Sequence, residues 1–171
     1  MSEKLAAGAA MPEFTLSKVG GGEAKIGGGG RWQLLVVYRG KHCPICKRYL
    51  GTLEQLKDKF AEANVEVLAV SADPKEKAEP DVAEMKLTVP VGYDLSVEQM
   101  RKLGLYVSEP RSPQETDRPF AEPGLFAINP EGKVQILDIS NAPFARPDLQ
   151  SILNGISFVQ SKGYPIRGTL A

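Results

Sequence analysis

Residues 31–60 read RWQLLVVYRGKHCPICKRYLGTLEQLKDKF, and a change of period inside this stretch decides the fold. Leu34 to Tyr38 is an apolar run rich in leucine and valine. That is the composition of a central strand buried on both faces. Beyond the C-P-I-C at Cys43–Cys46 the apolar residues are Tyr49, Leu53, Leu56, Phe60 and Ala63. They lie on one helical face. Pro44 suits the switch, because proline is favoured at the first helical position, where its missing N–H is no loss. Cys43 therefore reads as the cap of a helix that starts just past a buried strand.

That place has chemical consequences. Free N–H groups and the dipole at a helix start favour an anion, and a thiolate is one. A cysteine so placed falls from a pKa of about 8.5 into the range ~3.5–7.5. Arg39, Lys41, Lys47 and Arg48 add positive charge on both flanks. Cys46 is one helical turn on, within disulfide reach of Cys43. The spacing predicts an activated thiolate at Cys43, the more exposed and more acidic thiol, with Cys46 less accessible one turn inside. His42, the only histidine, is a proton donor, a cation that lowers the thiol pKa, or a loop residue packed on the helix start. An inert buried pair of cysteines is the bland alternative. A structural zinc site needs four ligands, and the chain has no further cysteine or histidine beyond this cluster. Covalent haem attachment needs histidine after the second cysteine, where Lys47 stands. No metal or other cofactor is expected.

Composition narrows the class. The chain has 171 residues, with 21 basic and 21 acidic side chains. That balance gives no electrostatic footprint for nucleic acid or an anionic membrane. No apolar run approaches the ~20 residues of a spanning helix, and MSEKLAAGAAMPEF lacks the apolar segment of a signal peptide. We therefore expect a cytoplasmic protein, in which a C-x-x-C more often serves catalysis than bracing.

Taken in order, residues 1–11 read as a mobile or loosely packed arm, and PEFTL at 12–16 as a short strand. The glycines at 20–22 and 27–30 mark a hairpin turn and a loop. They precede a strand, whereas phosphate-cradling loops lie between strand and helix. VEVLAVSAD at 65–73 is a second buried strand, so strand–helix–strand gives a right-handed parallel crossover. A helix is expected near Asp81 to Leu87, a short strand or extended link at Val89 to Tyr93, and a helix from Ser96 to Leu103 closed by Gly104. Residues 106–123 hold four prolines and read as an irregular loop. GLFAIN and KVQILDIS, joined by N-P-E-G, form an antiparallel hairpin over 124–140 with a type I turn. From Pro147 a last helix carries Leu149, Ile152, Leu153, Ile156 and Val159 on its apolar face, ending at Gly163 and Pro165. The class is α/β in one domain over 1–171, a mixed central sheet with helices on both faces.

These pieces resemble the thioredoxin-like fold, and within it the peroxiredoxin-like branch, the alkyl hydroperoxide reductase and thiol-specific antioxidant family. MPEFTL, VVYRGKHCPICKRYL, VEVLAVSADP and GLFAINPEGKVQ carry the likeness in order over nearly the whole length. The resemblance implies a peroxide-attacking Cys43, kept in a Cys-Pro pair with Pro44, and a cis-proline at Pro123 facing the cysteines. The chain departs from the family's P-x-x-x-T-x-x-C: Gly40 stands three before Cys43 and Val36 seven before. The family arginine has no residue at its usual spacing; Arg118 is nearest, and Arg39 and Arg146 are the other candidates.

The expected function is an antioxidant thiol oxidoreductase in which Cys43 reduces hydroperoxides and Cys46 resolves. Two alternatives stand beside it: a thiol–disulfide oxidoreductase without peroxidase activity, and a non-enzymatic two-cysteine metal carrier or redox-gated binding module. Expected partners are a hydroperoxide or disulfide substrate, a thioredoxin- or glutathione-type reductant, and a second copy of the chain as a homodimer.

Overall fold

The computed structural model describes residues 4–170. Its centre is a five-stranded mixed sheet in the order β5-β4-β3-β8-β9. The strands are β3 (Trp32–Val37), β4 (Val65–Val70), β5 (Val91–Gly92), β8 (Gly124–Ile128) and β9 (Val134–Ile139). The central β3 runs parallel to β4 and antiparallel to β8. Its alternation divides the core. Leu34 and Val36, with Tyr38 just beyond, face one apolar cluster, and Leu35 and Val37 face the other. Every residue of this run is buried, which is why the sequence shows an unbroken apolar stretch rather than an alternating one.

Helix α1 (Pro44–Glu62) packs on the first face with α4 (Leu149–Lys162) and with α2 (Lys75–Met85). The second face carries α3 (Val97–Lys102) and two small ladders. One ladder pairs β1 (Phe14–Ser17) with β2 (Glu23–Ile26) around the first glycine turn. The caps follow the sequence: Ser96 and Gln99 form a reciprocal capping box, Asp148 accepts from Ser151 N, and Gly163 ends α4 in the left-handed region.

Two expectations on the surface shift. The helix placed near Asp81 to Leu87 begins six residues earlier, at Lys75, and carries Pro80 inside it. Ala78 and Asp81 are its buried residues, so tertiary packing overrides a proline that argues against helix. The loop at 106–123 contains a second ladder, β6 (Val107–Ser108) with β7 (Phe120–Ala121), each strand too short to leave a periodic signal. Residues 1–3 of the expected arm lie outside the described residues. From Lys4 on it runs along the β8–β9 turn, where Gly8 N donates to Val134 O at 2.8 Å and Met11 is buried.

Phe60 sits on the inner face of α1 with no exposed surface. Phe60→Ala is expected to cost about 3–5 kcal/mol, read as a lower urea midpoint at an unchanged slope.

Candidate active site

The site lies where β3 ends and α1 begins. Tyr38 N still donates to Val70 O at 3.0 Å, so the chain leaves the sheet only at Arg39. Gly40 makes the turn with φ +136°, a conformation side chains rarely adopt. A methyl group there would come within 2.7 Å of Asp73 Oδ1. That carboxylate, buried at the end of β4, accepts Lys41 N at 2.7 Å and so holds the loop from the neighbouring strand.

Cys43 is the N-cap of α1, in extended conformation, with Pro44 in the first helical turn. Its sulfur accepts the backbone N–H of Cys46 at 3.3 Å. Both cysteines are free. The expected difference in exposure is small: Cys43 is 2% exposed and Cys46 0%. The packing of α1 on β3 covers the cap as well as the first turn. The expected difference in acidity is large. A hydrogen bond from the Cys46 thiol, together with the Cys46 N–H and Arg39, brings the Cys43 thiol down to about 6 against the cost of burial. The same shared hydrogen bond, and then burial, push the Cys46 thiol well up.

Each sulfur has its own guanidinium. Arg39 serves Cys43. It lies 4.9 Å above the Phe120 ring, and its Nε stands 3.1 Å from Glu122 Oε1. That contact is an ion pair rather than an aligned hydrogen bond, since neither atom meets hydrogen-bond geometry. Glu122 is buried, and its other oxygen accepts from Ser108 Oγ at 2.6 Å. Arg146, on the segment between β9 and α4, serves Cys46: Nη2 is 2.7 Å from Sγ, and the guanidinium lies 5.0 Å above the Tyr49 ring. Arg118 is spent elsewhere, on Asp94, Asp117 and Ala72 O.

His42 packs its ring on Phe120, centroids 4.7 Å apart. Burial, and then Arg39, hold its pKa below the ordinary histidine value. That direction disfavours the charged imidazole beside Cys43. Pro123 is corrected, because no cis peptide bond occurs among the described residues. The chain runs extended from β7 into β8, with Glu122 N bonded to Tyr106 O and Pro123 O accepting Ser140 N. A trans link keeps both in register. Under the site, Tyr38, Asp73 and Asp81 are buried together with Ser71. Asp81 pairs only with Lys47 Nζ, at 3.4 Å, and burial raises both carboxyl pKa values. Sequence reading missed Glu122, Phe120 and these acids, which carry no motif of their own. Among the described residues no three histidine, cysteine or acidic side chains gather as a metal site, and no helix is long and apolar enough to cross a membrane.

A parallel β3–α1–β4 unit with a capping thiol and a second thiol one turn on defines a thioredoxin-fold thiol oxidoreductase. Residues 7–136 match the model of the AhpC/TSA family, and the chain belongs to that family. It is a peroxiredoxin-like antioxidant thiol oxidoreductase. Among solved structures, a peroxiredoxin-like protein from Aquifex aeolicus is similar at 19% identity, TM-score 0.77, covering 90% of this chain and 87% of that one. Mycobacterium tuberculosis AhpC is similar at 17% identity, TM-score 0.75, covering 94% and 96%. A cysteine-to-serine variant of the peroxiredoxin 6 of Arenicola marina is similar at 23% identity, TM-score 0.74, covering 93% and 75%. A search of the curated proteins found no match. Peroxiredoxins as a family act on peroxides with thioredoxin-type reductants and commonly form dimers.

Three outcomes are expected here. The rate of alkylation by iodoacetamide should rise as pH climbs through about 6 and then level off, with the label on Cys43. Arg39→Met should move that inflection upward, because it removes a cation that favours the thiolate. Gly40→Ala should lose roughly 1–3 kcal/mol of stability from backbone strain and the Asp73 clash, read by thermal or urea unfolding.

Proposed function

We propose that Cys43 is the nucleophile of a hydroperoxide reductase and Cys46 its resolving thiol. The observation that carries this is the cap itself: the Cys43 sulfur accepts the Cys46 N–H at the start of α1, with the second thiol one turn on. The Cys43 thiolate attacks the distal oxygen of ROOH and the O–O bond breaks. Cys43 becomes a sulfenic acid, and the leaving alkoxide takes a proton to give ROH. The Cys46 sulfur then displaces the hydroxyl group as water, closing a Cys43–Cys46 disulfide. Two thiol equivalents reopen it. Arg39 stabilises the attacking anion, and Arg146 faces the sulfur that must lose its proton for the second step. Pro44 sets the helix start and Gly40 the turn before it. Residues 1–171 act in this reading as one domain, in the cytoplasm, with a hydroperoxide, a thiol reductant and a second copy of the chain as partners.

A second reading uses the same sulfurs on disulfides alone. It is favoured by Gly40, which offers no hydroxyl where the P-x-x-x-T-x-x-C pattern has threonine. One variant separates the two. Cys43→Ser should abolish turnover with either substrate. Cys46→Ser exposed to peroxide should accumulate a sulfenic acid that dimedone traps, and excess peroxide should drive it to sulfinic acid. A mixed disulfide with a disulfide substrate, and no dimedone adduct after peroxide, assigns the second reading. Activity in Cys43→Ser would reverse the two roles.

A further inference from the structure

Cys46 has no exposed surface, and Arg146 is the side chain packed directly on its sulfur. One arm of that guanidinium touches Sγ at 2.7 Å, the other donates to Pro143 O, and its Nε is buried without a partner. No carboxylate pairs with Arg146 among the described residues. Beyond it opens a recess of about 400 Å³, walled by Arg48, Tyr49, Thr52, Phe144, Arg146 and Asp148. Arg48 is exposed, again with no acidic partner among the described residues. Asp148 Oδ2 already accepts from Ser151 N and Oγ. Phe144 stands 77% exposed at the rim. Two guanidiniums that meet no carboxylate among the described residues, and two aromatic rings, thus line a small cavity whose inner wall is the side chain in contact with Cys46.

We propose that this recess is the reductant site, taking a small thiol that bears a carboxylate, of the glutathione class, which attacks Cys46 in the oxidised pair. This rests on the two-thiol cycle above. The reductant's thiolate forms a bond to Cys46 Sγ, the Cys43–Cys46 bond breaks, and Cys43 leaves as the thiolate. A second reductant thiolate then attacks the reductant's own sulfur, releasing the reductant disulfide and a Cys46 thiolate that takes a proton. The two electrons come from the two reductant thiols. Attack at Cys46 makes Cys43 the leaving sulfur, and the Cys46 N–H and Arg39 remain beside it to favour the departing thiolate. A small thiol also suits the burial of the pair, because neither sulfur presents a surface to a docking protein. Arg48 and Arg146 supply the charge that a carboxylate needs, and Arg146 stands between the recess and the Cys46 sulfur.

The test starts from protein oxidised beforehand with diamide, so it does not depend on any reaction with peroxide. Failure to form the Cys43–Cys46 disulfide overturns the two-thiol cycle and this proposal with it. With the disulfide formed, reduction is followed with glutathione, with cationic cysteamine and with a thioredoxin. Arg48→Glu should slow the glutathione reaction about tenfold, the size of a lost and reversed ion contact, and leave the cysteamine rate equal or faster. Arg48→Lys should restore most of the glutathione rate. After one equivalent of glutathione and an iodoacetamide quench, peptide mapping should find glutathione on Cys46 and the alkyl group on Cys43. Glutathione on Cys43, an unchanged glutathione rate in Arg48→Glu, or reduction by thioredoxin alone overturns the recess as the reductant site.

Discussion

The bond from the Cys46 N–H to the Cys43 sulfur is the constraint on which the site depends. A helix needs its first N–H groups satisfied, and here the cap is a thiol. The preference of the helix end for negative charge therefore falls on a reactive atom rather than on a serine or aspartate. No acidic side chain competes in the first turn of α1. The cap also fixes distance: whatever holds Cys43 to the N–H of Cys46 holds the two sulfurs one turn apart. Structure and acidity follow from the same bond, so a change that frays the first turn acts on both.

The two arginines complete the division of labour between the sulfurs. Each guanidinium rests on an aromatic face, Arg39 on Phe120 and Arg146 on Tyr49, and such stacking suits arginine rather than lysine. Their anchors differ. Arg39 is pinned by the buried carboxylate of Glu122. A buried pair of this kind is costly to break because either partner left alone is an uncompensated charge. Arg146 bonds to the Pro143 carbonyl and the Cys46 sulfur and, among the described residues, to no carboxylate. The arginine beside Cys43 is thus anchored by a buried charge and that beside Cys46 is not, which suits the proposed cycle, whose first step needs preorganisation and whose later step needs access.

Much of this was legible in the sequence, for local reasons. The switch from an unbroken apolar run to helical spacing across Cys43 identified β3, α1 and the cap, since each is written in consecutive residues. The hairpin at 124–140 and the last helix were legible in the same way. The missed features are those that depend on contacts between distant residues. Glu122 looks like one more charge in a proline-rich loop until Arg39 is placed against it. Asp73 and Asp81 were given no role from the sequence, yet both are buried because β4 and α2 pack them under the turn. The cis bond expected at Pro123 came from likeness alone. The bond found there is trans, between a Glu122 N–H held by Tyr106 O and a Pro123 carbonyl held by Ser140 N.

The departure from P-x-x-x-T-x-x-C has a structural counterpart. At the position of the threonine the backbone is at φ +136°, where a β-branched residue is strongly disfavoured. The space a side chain would fill is taken by the Asp73 carboxylate, which accepts Lys41 N. The hydroxyl is therefore not simply deleted from an otherwise unchanged loop. A carboxylate from the adjacent strand has replaced a side chain of the loop itself as the group that shapes the turn. Glycine and Asp73 belong together in this arrangement, because any β-carbon at residue 40 would push against the oxygen that holds residue 41. Oxygen chemistry next to Cys43 is then left to Arg39 and to backbone donors at the helix end. The geometry keeps a helix cap and a guanidinium that favour a Cys43 thiolate, and differs from the family pattern in the groups that would position what the proposed nucleophile attacks.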